Sequence, residues 1–450
     1  MTEINGTNMS LTFKVTRQAP ELIRPAKATP YESKELSDLD NVIRMQTPLI
    51  MLFKNPSKNL NPYVLSGSDP VKVIKDGIAK ALVPYYPLAG RLRETREGKL
   101  EVECNGEGVL FIEADADVTL DDFGEPIHPP FPCSDELLYD VPGSSGILHS
   151  PLALIQVTRL KCGGFIFAIR MNHTMTDGVG LLHFLNAVGE FARGAQHPSI
   201  SPVWMRHLLN SAPINSSHKR HEDVRSKISE STDTPSPPND LVNKCFFFGS
   251  AEIDSLQQQS VQTSSTFELI LAHTWRCRSM AMYNDSDQES RVKVAFAMNV
   301  RSKYNPPLPK GYYGNVIATP TAQATTTELS ENPFNYSVDL VKKAKDIFTE
   351  EYLRSLAFRT LEEGRLARDD AKKFDRLLVT DHSRLGLNCL DFGLGQPVYG
   401  GHLKGSDFHP NMGYISRFTP CKPFMELGVL VPICLPSSAM KKFVKLISRV

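Results

Sequence analysis

The chain has 450 residues, of which 41% are hydrophobic and 22% are charged, and its 50 Lys and Arg residues balance its 50 Asp and Glu residues. This composition is that of an ordinary globular protein and excludes a fibrous or largely disordered chain. Because no net charge draws the chain to a phosphate backbone or an anionic bilayer, nucleic acid is not expected as a partner. At this length two or three domains are expected.

The N-terminus lacks the basic and apolar regions of a signal peptide, and no apolar run is long enough to span a bilayer. We therefore expect a cytoplasmic protein with no membrane partner. The cysteines form neither a Cys-x-x-Cys pair nor a Cys/His cluster at zinc spacing, so we expect free thiols and no bound metal. The eight cysteines are Cys104, Cys133, Cys162, Cys245, Cys277, Cys389, Cys421 and Cys434.

Residues 206–240 are polar and rich in Ser and Pro, as in the stretch Ser229-Glu230-Ser231-Thr232-Asp233-Thr234-Pro235. A segment of this composition cannot bury enough apolar surface to form a core element. It predicts a crossover linker between an N-terminal domain, residues 1–205, and a C-terminal domain, residues 241–450.

Both halves mix strand-like and helix-like patterns. In the first half, the apolar run 164–172 predicts a buried strand. Apolar residues then recur at helical spacing from Leu181 to Phe191 and predict a helix. Residues 173–180 are therefore predicted to connect a strand to a helix.

In the second half, alternating side chains over residues 292–299 predict a strand, and residues 338–348 and 439–447 are expected to be helical. The segment 391–397 contains two glycines and a proline, which indicate a sharply bent loop. From these residues alone, such a loop could simply pack the two halves together.

The predicted strand-to-helix connection reads His173-Thr174-Met175-Thr176-Asp177-Gly178. An imidazole at the end of a buried strand is held rigidly while a substrate can still reach it, as proton abstraction requires. Taken alone, His-x-x-x-Asp is a weak signal, because a lone His near an apolar strand is more often a structural residue.

Together with Asp391-Phe392-Gly393-Leu394-Gly395, this motif resembles the HxxxD and DFGWG motifs of the plant BAHD acyltransferases, in the same order and at a similar separation. Further matches extend over nearly the whole chain. They are the segments 36–40 (LSDLD), 85–91 (YYPLAGR), 299–301 (NVR), 305–309 (NPPLP) and 311–315 (GYYGN).

The resemblance implies an α/β fold of two chloramphenicol acetyltransferase-like domains. Each is expected to be a mixed β-sheet with flanking helices, and a solvent channel is expected between them. It also implies acyl-CoA as a co-substrate, a small alcohol as acceptor, direct acyl transfer, a monomeric enzyme and no permanently bound cofactor. An alcohol is a poor nucleophile at neutral pH and a thiolate leaves readily, so one base with a pKa near 7 suffices.

The resemblance implies that His173 is the general base. Asp177 is expected to pair with Arg301 and to serve structure, because a buried charge needs a partner. Asp391, Gly393 and Gly395 are expected to support the site. The sequence departs from the family at Leu394, where tryptophan is usual; leucine has no N–H for an oxyanion, so we expect an architectural loop and assign no oxyanion donor.

The phosphates of CoA should meet Lys, Arg and hydroxyl side chains. An ordinary solvated surface explains any single candidate equally well. The candidates are Ser264, Ser265, Thr266, Arg276, Arg278 and Lys303.

Residues 11–15 and 131–142 look most similar to the benzyl alcohol O-benzoyltransferase branch of the family, which also contains acyltransferases of alkaloid alcohols. We therefore expect benzoyl-CoA or another small acyl-CoA as donor, and benzyl alcohol, a volatile aliphatic alcohol or a tropane-type alkaloid alcohol as acceptor. A serine hydrolase of thioesters is one alternative, although no Gly-x-Ser-x-Gly motif is found. A non-catalytic acyl-CoA-binding relative is another, although such a protein would be expected to lack His173.

Overall fold

The computed structural model describes residues 2–3, 10–55, 67–210, 240–283, 290–349, 352, 376–409, 413–421 and 427–449. Residues 211–239, most of the predicted linker, lie outside this part of the chain. The first residues of the predicted linker are folded. Arg206–Leu209 is a short 3-10 helix in which Arg206 is only 2% exposed, and Leu209 packs with residues from both halves, among them Leu39 and Val316.

Two mixed β-sheets form the framework, which confirms the predicted α/β class with two sheet-containing domains. In the first sheet β10 (Phe165–Asn172) is buried on both faces, as its continuous apolar run predicted, and β8 (Val109–Ala116) and β9 (Ala153–Leu160) are its parallel pair. Numbered in chain order, its strands lie side by side as β17 (Pro397–His402), β5 (Gln46–Phe53), β10 (Phe165–Asn172), β9 (Ala153–Leu160), β8 (Val109–Ala116) and β2 (Val15–Arg17), and β3 (Glu21–Ile23) also pairs with β8.

The second sheet comes mostly from the other half of the chain, and β16 (Arg376–Asp381) pairs in parallel with both of its neighbours. The predicted strand over 292–299 is divided in two, β12 (Arg291–Phe296) and the short β13 (Met298–Asn299), which pairs with β14 (Ile317–Ala318). Its strand order is β1 (Thr2–Glu3), β11 (Leu241–Phe248), β20 (Gly428–Pro436), β19 (Gly413–Cys421), β16 (Arg376–Asp381), β12 (Arg291–Phe296) and β15 (Thr321–Thr325), with β18 (Ser406–His409) beside β19.

The two sheets do not divide where the sequence halves do. β17 follows the glycine-rich loop of the second half, yet it pairs antiparallel with β5 of the first sheet. At the other end, β1 pairs with β11 of the second sheet. The predicted domain limits 1–205 and 241–450 therefore describe the two halves of the sequence. Each sheet also contains one strand from the opposite half.

Helices cover the sheets, and the three predicted helices are confirmed as α4 (Gly178–Ala192), α8 (Phe334–Asp346) and α9 (Ser437–Ile447). A three-stranded sheet of β4 (Glu32–Glu35), β7 (Leu100–Cys104) and β6 (Arg91–Glu94) completes the first half. The helices are α1 (Asp38–Val42), α2 (Pro70–Ala81), α3 (Ser134–Leu137), α4 (Gly178–Ala192), α5 (Ser250–Gln259), α6 (Thr266–Met282), α7 (Thr326–Glu331), α8 (Phe334–Asp346) and α9 (Ser437–Ile447).

Candidate active site

The candidate catalytic histidine lies on the connection between β10 and α4. The N–H of His173 donates to the carbonyl of Met45, just before β5, at 2.8 Å. Asp177 is the N-cap of α4, and its side chain accepts from the N–H of Gly180 at 3.0 Å. The predicted strand-to-helix connection is therefore confirmed, and both of its ends are held by hydrogen bonds.

The ring of His173 is not sealed inside the core. The residue is partly exposed, whereas its Nδ1 is buried and has no hydrogen-bond partner among the described residues. Nε2 is therefore the ring nitrogen left to meet a substrate. Because no carboxylate of the described chain bonds to Nδ1, the arrangement differs from a Ser-His-Asp triad.

The carboxylate of Asp177 is engaged by Arg301. Arg301 donates from Nη1 to Oδ2 at 2.8 Å and from Nη2 to Oδ1 at 2.9 Å, a two-point contact. Oδ2 also accepts from the N–H of Val316 at 3.0 Å. Asp177 is buried and the Arg301 side chain is 16% exposed. The pair thus ties the start of α4 to the chain around residue 316.

A second buried ion pair, which the sequence analysis did not identify, supports the same connection. Nη1 of Arg206 lies 3.0 Å from both carboxylate oxygens of Asp40, and Nη2 donates to the carbonyl of Met175 at 2.8 Å. The Arg206 guanidinium lies over the rings of Trp204 and Tyr313, at 4.4 and 5.0 Å from their centroids. Both charges are almost completely buried, so each depends on the other.

Asn315 joins this pair to the histidine. Its Nδ2 donates to Asp40 Oδ1 and to the carbonyl of His173, both at 2.8 Å, and its backbone N–H donates to Asp40 at 3.0 Å. The carbonyl of Gly314 accepts from Arg301 at 2.7 Å. The consecutive residues 314–316 therefore contact both ion pairs and fix the backbone of the histidine between them.

Part of this second pair has a signal in the sequence. Ser37 and Asp40 form a capping box at the start of α1, a pattern that Ser-x-x-Asp suggests. The partner of the charge, Arg206, is 166 positions away, and no local pattern connects it to Asp40. Sequence reasoning could therefore have found the cap but not the ion pair.

The glycine-rich loop is built around Asp391, whose Oδ1 accepts from the N–H groups of Gly393, Leu394 and Gly395 at 2.7, 3.0 and 3.0 Å. Gly393 and Gly395 have φ angles of 82° and 90°, which side chains other than glycine adopt only with strain. Leu394 is 2% exposed and lies beside Phe392 in the hydrophobic core between the first sheet and helices α2 and α4, called the first core below. Neither its side chain nor its N–H can serve an oxyanion, because the N–H is already bonded to Asp391.

The candidate CoA contacts do not form one cluster. Ser265 caps α6, where its hydroxyl accepts from the N–H of Glu268, and Arg276 lies about 16 Å further along the helix axis. Arg276 donates to the carbonyls of residues 330 and 332 at 3.2 and 2.7 Å. Arg278 is completely buried, which does not fit a contact with a solvated phosphate, so we no longer count it among the candidate CoA contacts. Lys303 is exposed.

Ser264 and Thr266 flank the cap of α6. The Ser264 hydroxyl lies 3.1 Å from that of Ser260 and donates to the carbonyl of Gln262 at 3.0 Å. Thr266 is the first residue of α6, so its N–H lies at the positive end of the helix dipole. This geometry suits an anion at the N-terminal end of α6, next to Ser264.

A cavity of about 110 Å³ lies along α4 and is too small for an acyl-CoA. The cavity is lined by His183, Asn186, Ala187, Glu190, Arg193, Pro198, Ser199 and Ile200.

Within the described residues no helix is both long enough and apolar enough to cross a bilayer.

The site combines two lobes, each a mixed β-sheet with its covering helices, with a partly exposed imidazole at the end of a buried strand and two ion pairs that hold the histidine backbone. The model of the Transferase family matches residues 13–449. Benzyl alcohol O-benzoyltransferase of Nicotiana tabacum is 49% identical over 444 residues, 97% of this chain and 93% of that protein. Alcohol acyl transferase 1 (allele RGb) of Malus domestica is 47% identical over 96% of this chain and 93% of its own length.

Solved structures share the fold. Vinorine synthase superimposes with a TM-score of 0.74 at 22% identity, covering 97% of this chain and 98% of its own. TRI101 of F. sporotrichioides, complexed with coenzyme A and T-2, gives a TM-score of 0.68 at 15% identity over 92% of this chain and 97% of its own. The chain belongs to the BAHD branch of the Transferase family. It is an acyl-CoA-dependent acyltransferase of alcohols, and acyl-CoA is its co-substrate.

Proposed function

We propose that the enzyme moves an aromatic or small acyl group, preferably benzoyl, from CoA to a small alcohol by direct transfer, with His173 as the general base. The observation that carries this proposal is the partly exposed imidazole whose Nδ1 has no partner in the described chain. The preference for benzoyl-CoA and benzyl alcohol draws on the activity for which the relative from Nicotiana tabacum is named. The alternative acceptor is an alkaloid alcohol of the tropane type. With either acceptor, the reaction would belong to plant specialised metabolism.

In the proposed reaction Nε2 of His173 takes the hydroxyl proton of the acceptor as its oxygen forms a bond to the thioester carbon. The carbonyl π electrons move onto oxygen and form a tetrahedral oxyanion. When the oxyanion collapses, the C–S bond breaks and its electron pair leaves with CoA sulfur. The proton on His173 then passes to the thiolate, so the base is regenerated and an ester and free CoA are released.

We propose that CoA meets Ser264, Ser265 and Thr266 at the start of α6, and Lys303 on the exposed 3-10 helix that begins at Arg301. CoA and the alcohol would enter a channel between the two lobes from opposite mouths. We also propose that the enzyme acts as a cytoplasmic monomer, as its resemblance to the family implies. Size-exclusion chromatography with light scattering tests the monomer.

The test of the function is incubation with benzoyl-CoA and a panel of alcohols that includes benzyl alcohol, hexanol and a tropane alcohol. Thiol release and ester formation are followed together, the latter by mass spectrometry. We expect one ester to form in step with free CoA. Thiol release without ester would indicate a thioester hydrolase, and neither product with any acceptor would indicate a non-catalytic acyl-CoA-binding protein.

A further inference from the structure

Two histidines outside the known motifs stack against each other where the two sheets meet. His382 directly follows β16 of the second sheet, and His402 is the last residue of β17 in the first sheet. Their ring centroids are 4.8 Å apart and the rings are inclined by only 13°. His402 is 6% exposed, whereas His382 is partly exposed. The pair thus connects the two lobes through one ring from each.

His382 lies on the side of the second sheet that faces away from its own core. Leu377 and Val379 of β16 are buried in the hydrophobic core between the second sheet and helices α6, α8 and α9, called the second core below, and side chains alternate along a strand. The N–H of His382 donates to the carbonyl of Phe418 at 2.8 Å, so the extended backbone continues past the end of β16. The side chain at position 382 therefore shares its face with Thr380 and points towards the first sheet.

This face meets the first sheet near His173. β17, which carries His402, pairs with β5, and the residue just before β5 accepts the hydrogen bond from the N–H of His173. Besides burial, the positive charge of His173 lowers the pKa of both His382 and His402, so the three imidazoles lie within electrostatic range of one another. Burial, the charge of Arg417 and the charge of His173 lower the pKa of His382 to about 4, so His382 is neutral at the pH of any ordinary assay.

The hydrogen-bonding capacity of His382 is not used by the fold. Its Nδ1 is buried without a hydrogen-bond partner among the described residues, and so is the hydroxyl of its face neighbour Thr380. A neutral imidazole carries one N–H donor. Leaving such polar groups unpaired costs about 1–3 kcal/mol, which indicates a group that finds its partner when substrate binds.

We propose that His382 is a further catalytic residue, which donates a hydrogen bond to the thioester carbonyl oxygen as that oxygen becomes an oxyanion, and that His402 is the positioning residue on which its ring stacks. This inference rests on the proposed function of His173. It supplies the donor that Leu394 cannot provide, because the Leu394 N–H is bonded to Asp391. The donated proton stays on His382 throughout, so the proton balance of the transfer to the alcohol is unchanged.

The test compares variants that differ in their donor. His382→Phe keeps a ring that can stack on His402 but has no N–H, and His382→Gln keeps an N–H. Removing one oxyanion donor lowers kcat by about 10²–10³. We expect a loss of that size for His382→Phe with KM values for benzoyl-CoA and alcohol within about twofold, and recovery by at least about tenfold in His382→Gln. His382→Leu is a second donor-free variant in case the Phe variant does not fold.

A matched control is His273→Phe, which removes another buried histidine, in the second core, and is expected to leave kcat unchanged. A His382→Phe enzyme with wild-type kcat would overturn the inference, as would a raised KM for the alcohol at unchanged kcat, which would make His382 an acceptor-binding group. Wild-type enzyme is assayed in parallel. If it forms no ester from any donor, the proposed function fails, and if it does while both donor-free variants stay active, only the role of His382 fails.

Discussion

Replacing Asp177 by alanine separates a structural carboxylate from a catalytic one. The substitution removes the two-point contact to Arg301, the acceptor for Val316 and the N-cap of α4 in one step. The backbone N–H groups and the guanidinium would remain in place without their acceptor. If Asp177 serves the structure, stability and activity should fall together.

The size of the loss follows from the burial of the pair. Breaking a buried ion pair by removing one partner costs about 3–5 kcal/mol, and loss of an N-cap costs about 0.5–2 kcal/mol. These contributions overlap, and the Arg301 side chain is 16% exposed and keeps some hydration, so we expect a total of about 3 kcal/mol. At about 2–4 °C per kcal/mol for a domain of this size, the melting temperature should fall by roughly 6–12 °C.

Asp177→Asn provides the internal comparison. Asparagine is about as good an N-cap as aspartate, so this variant loses the charge but keeps the cap. We expect Asp177→Asn to lower the free energy of unfolding by about 1–2 kcal/mol, which is less than the effect of Asp177→Ala. Asp121→Ala, at an exposed aspartate of a short 3-10 helix, is the surface control and should stay within about 0.5 kcal/mol.

Thermal unfolding followed by circular dichroism, and ester formation at a temperature where all variants are folded, decide the matter. An Asp177→Ala enzyme with wild-type melting temperature but no turnover would refute the structural assignment. It would mean that the carboxylate acts on the reacting atoms or on the imidazole. The N-cap contact and the bond to Arg301 would then be incidental to its role.

Three further predictions concern single residues. His173→Ala should lower kcat by about 10²–10⁴ at unchanged melting temperature, because the anchoring bonds use its backbone; retained ester formation would exclude it as the base. Leu394→Trp should cost about 1–3 kcal/mol in a urea unfolding assay by overpacking the first core, with kcat nearly unchanged; a large gain in kcat would reveal a missing donor. Burial lowers the pKa of His273 to about 4 in the folded protein, whereas its pKa in the unfolded chain is about 6.5. Between these two pH values the unfolded chain binds more protons than the folded protein, so the free energy of unfolding should fall as the pH decreases from about 6.5 to about 4. Between pH 7.5 and 5.5 this histidine should contribute a loss of about 1 kcal/mol; an equal pH dependence in His273→Phe would contradict it.

Periodicity predicted the elements whose pattern is local. The apolar run before His173 became β10, and α4 begins within a few residues of its predicted position. Helix α6 was not predicted, because His273, Thr274 and Arg278 are buried on a helix that passes through the second core. Polar residues on all its faces obscure the 3.6-residue period that would reveal it.

Contacts between distant parts of the chain were predicted less completely. The Asp177–Arg301 contact was expected from the family resemblance alone, whereas nothing pointed to the Asp40–Arg206 pair or to the pairing of β17 with β5. A strand's partner depends on how the sheets assemble, and β17 has apolar and glycine residues that would suit either lobe. The histidine pair was overlooked for the same reason, since positions 382 and 402 meet only because each lobe supplies one ring.

The distribution of charge around the site has a consequence for the choice of acyl donor. Both buried carboxylates, Asp40 and Asp177, are neutralised by arginines and hold backbone, so neither stabilises a proton on Nδ1 of His173. In the proposed reaction the imidazolium of His173 passes its proton to the departing thiolate, which needs no protonation in order to leave. An alkoxide is a much poorer leaving group and must be protonated as it departs, so its loss depends on that same proton transfer from His173. We therefore expect the oxygen esters of the same acyl group to be much slower donors than the thioesters.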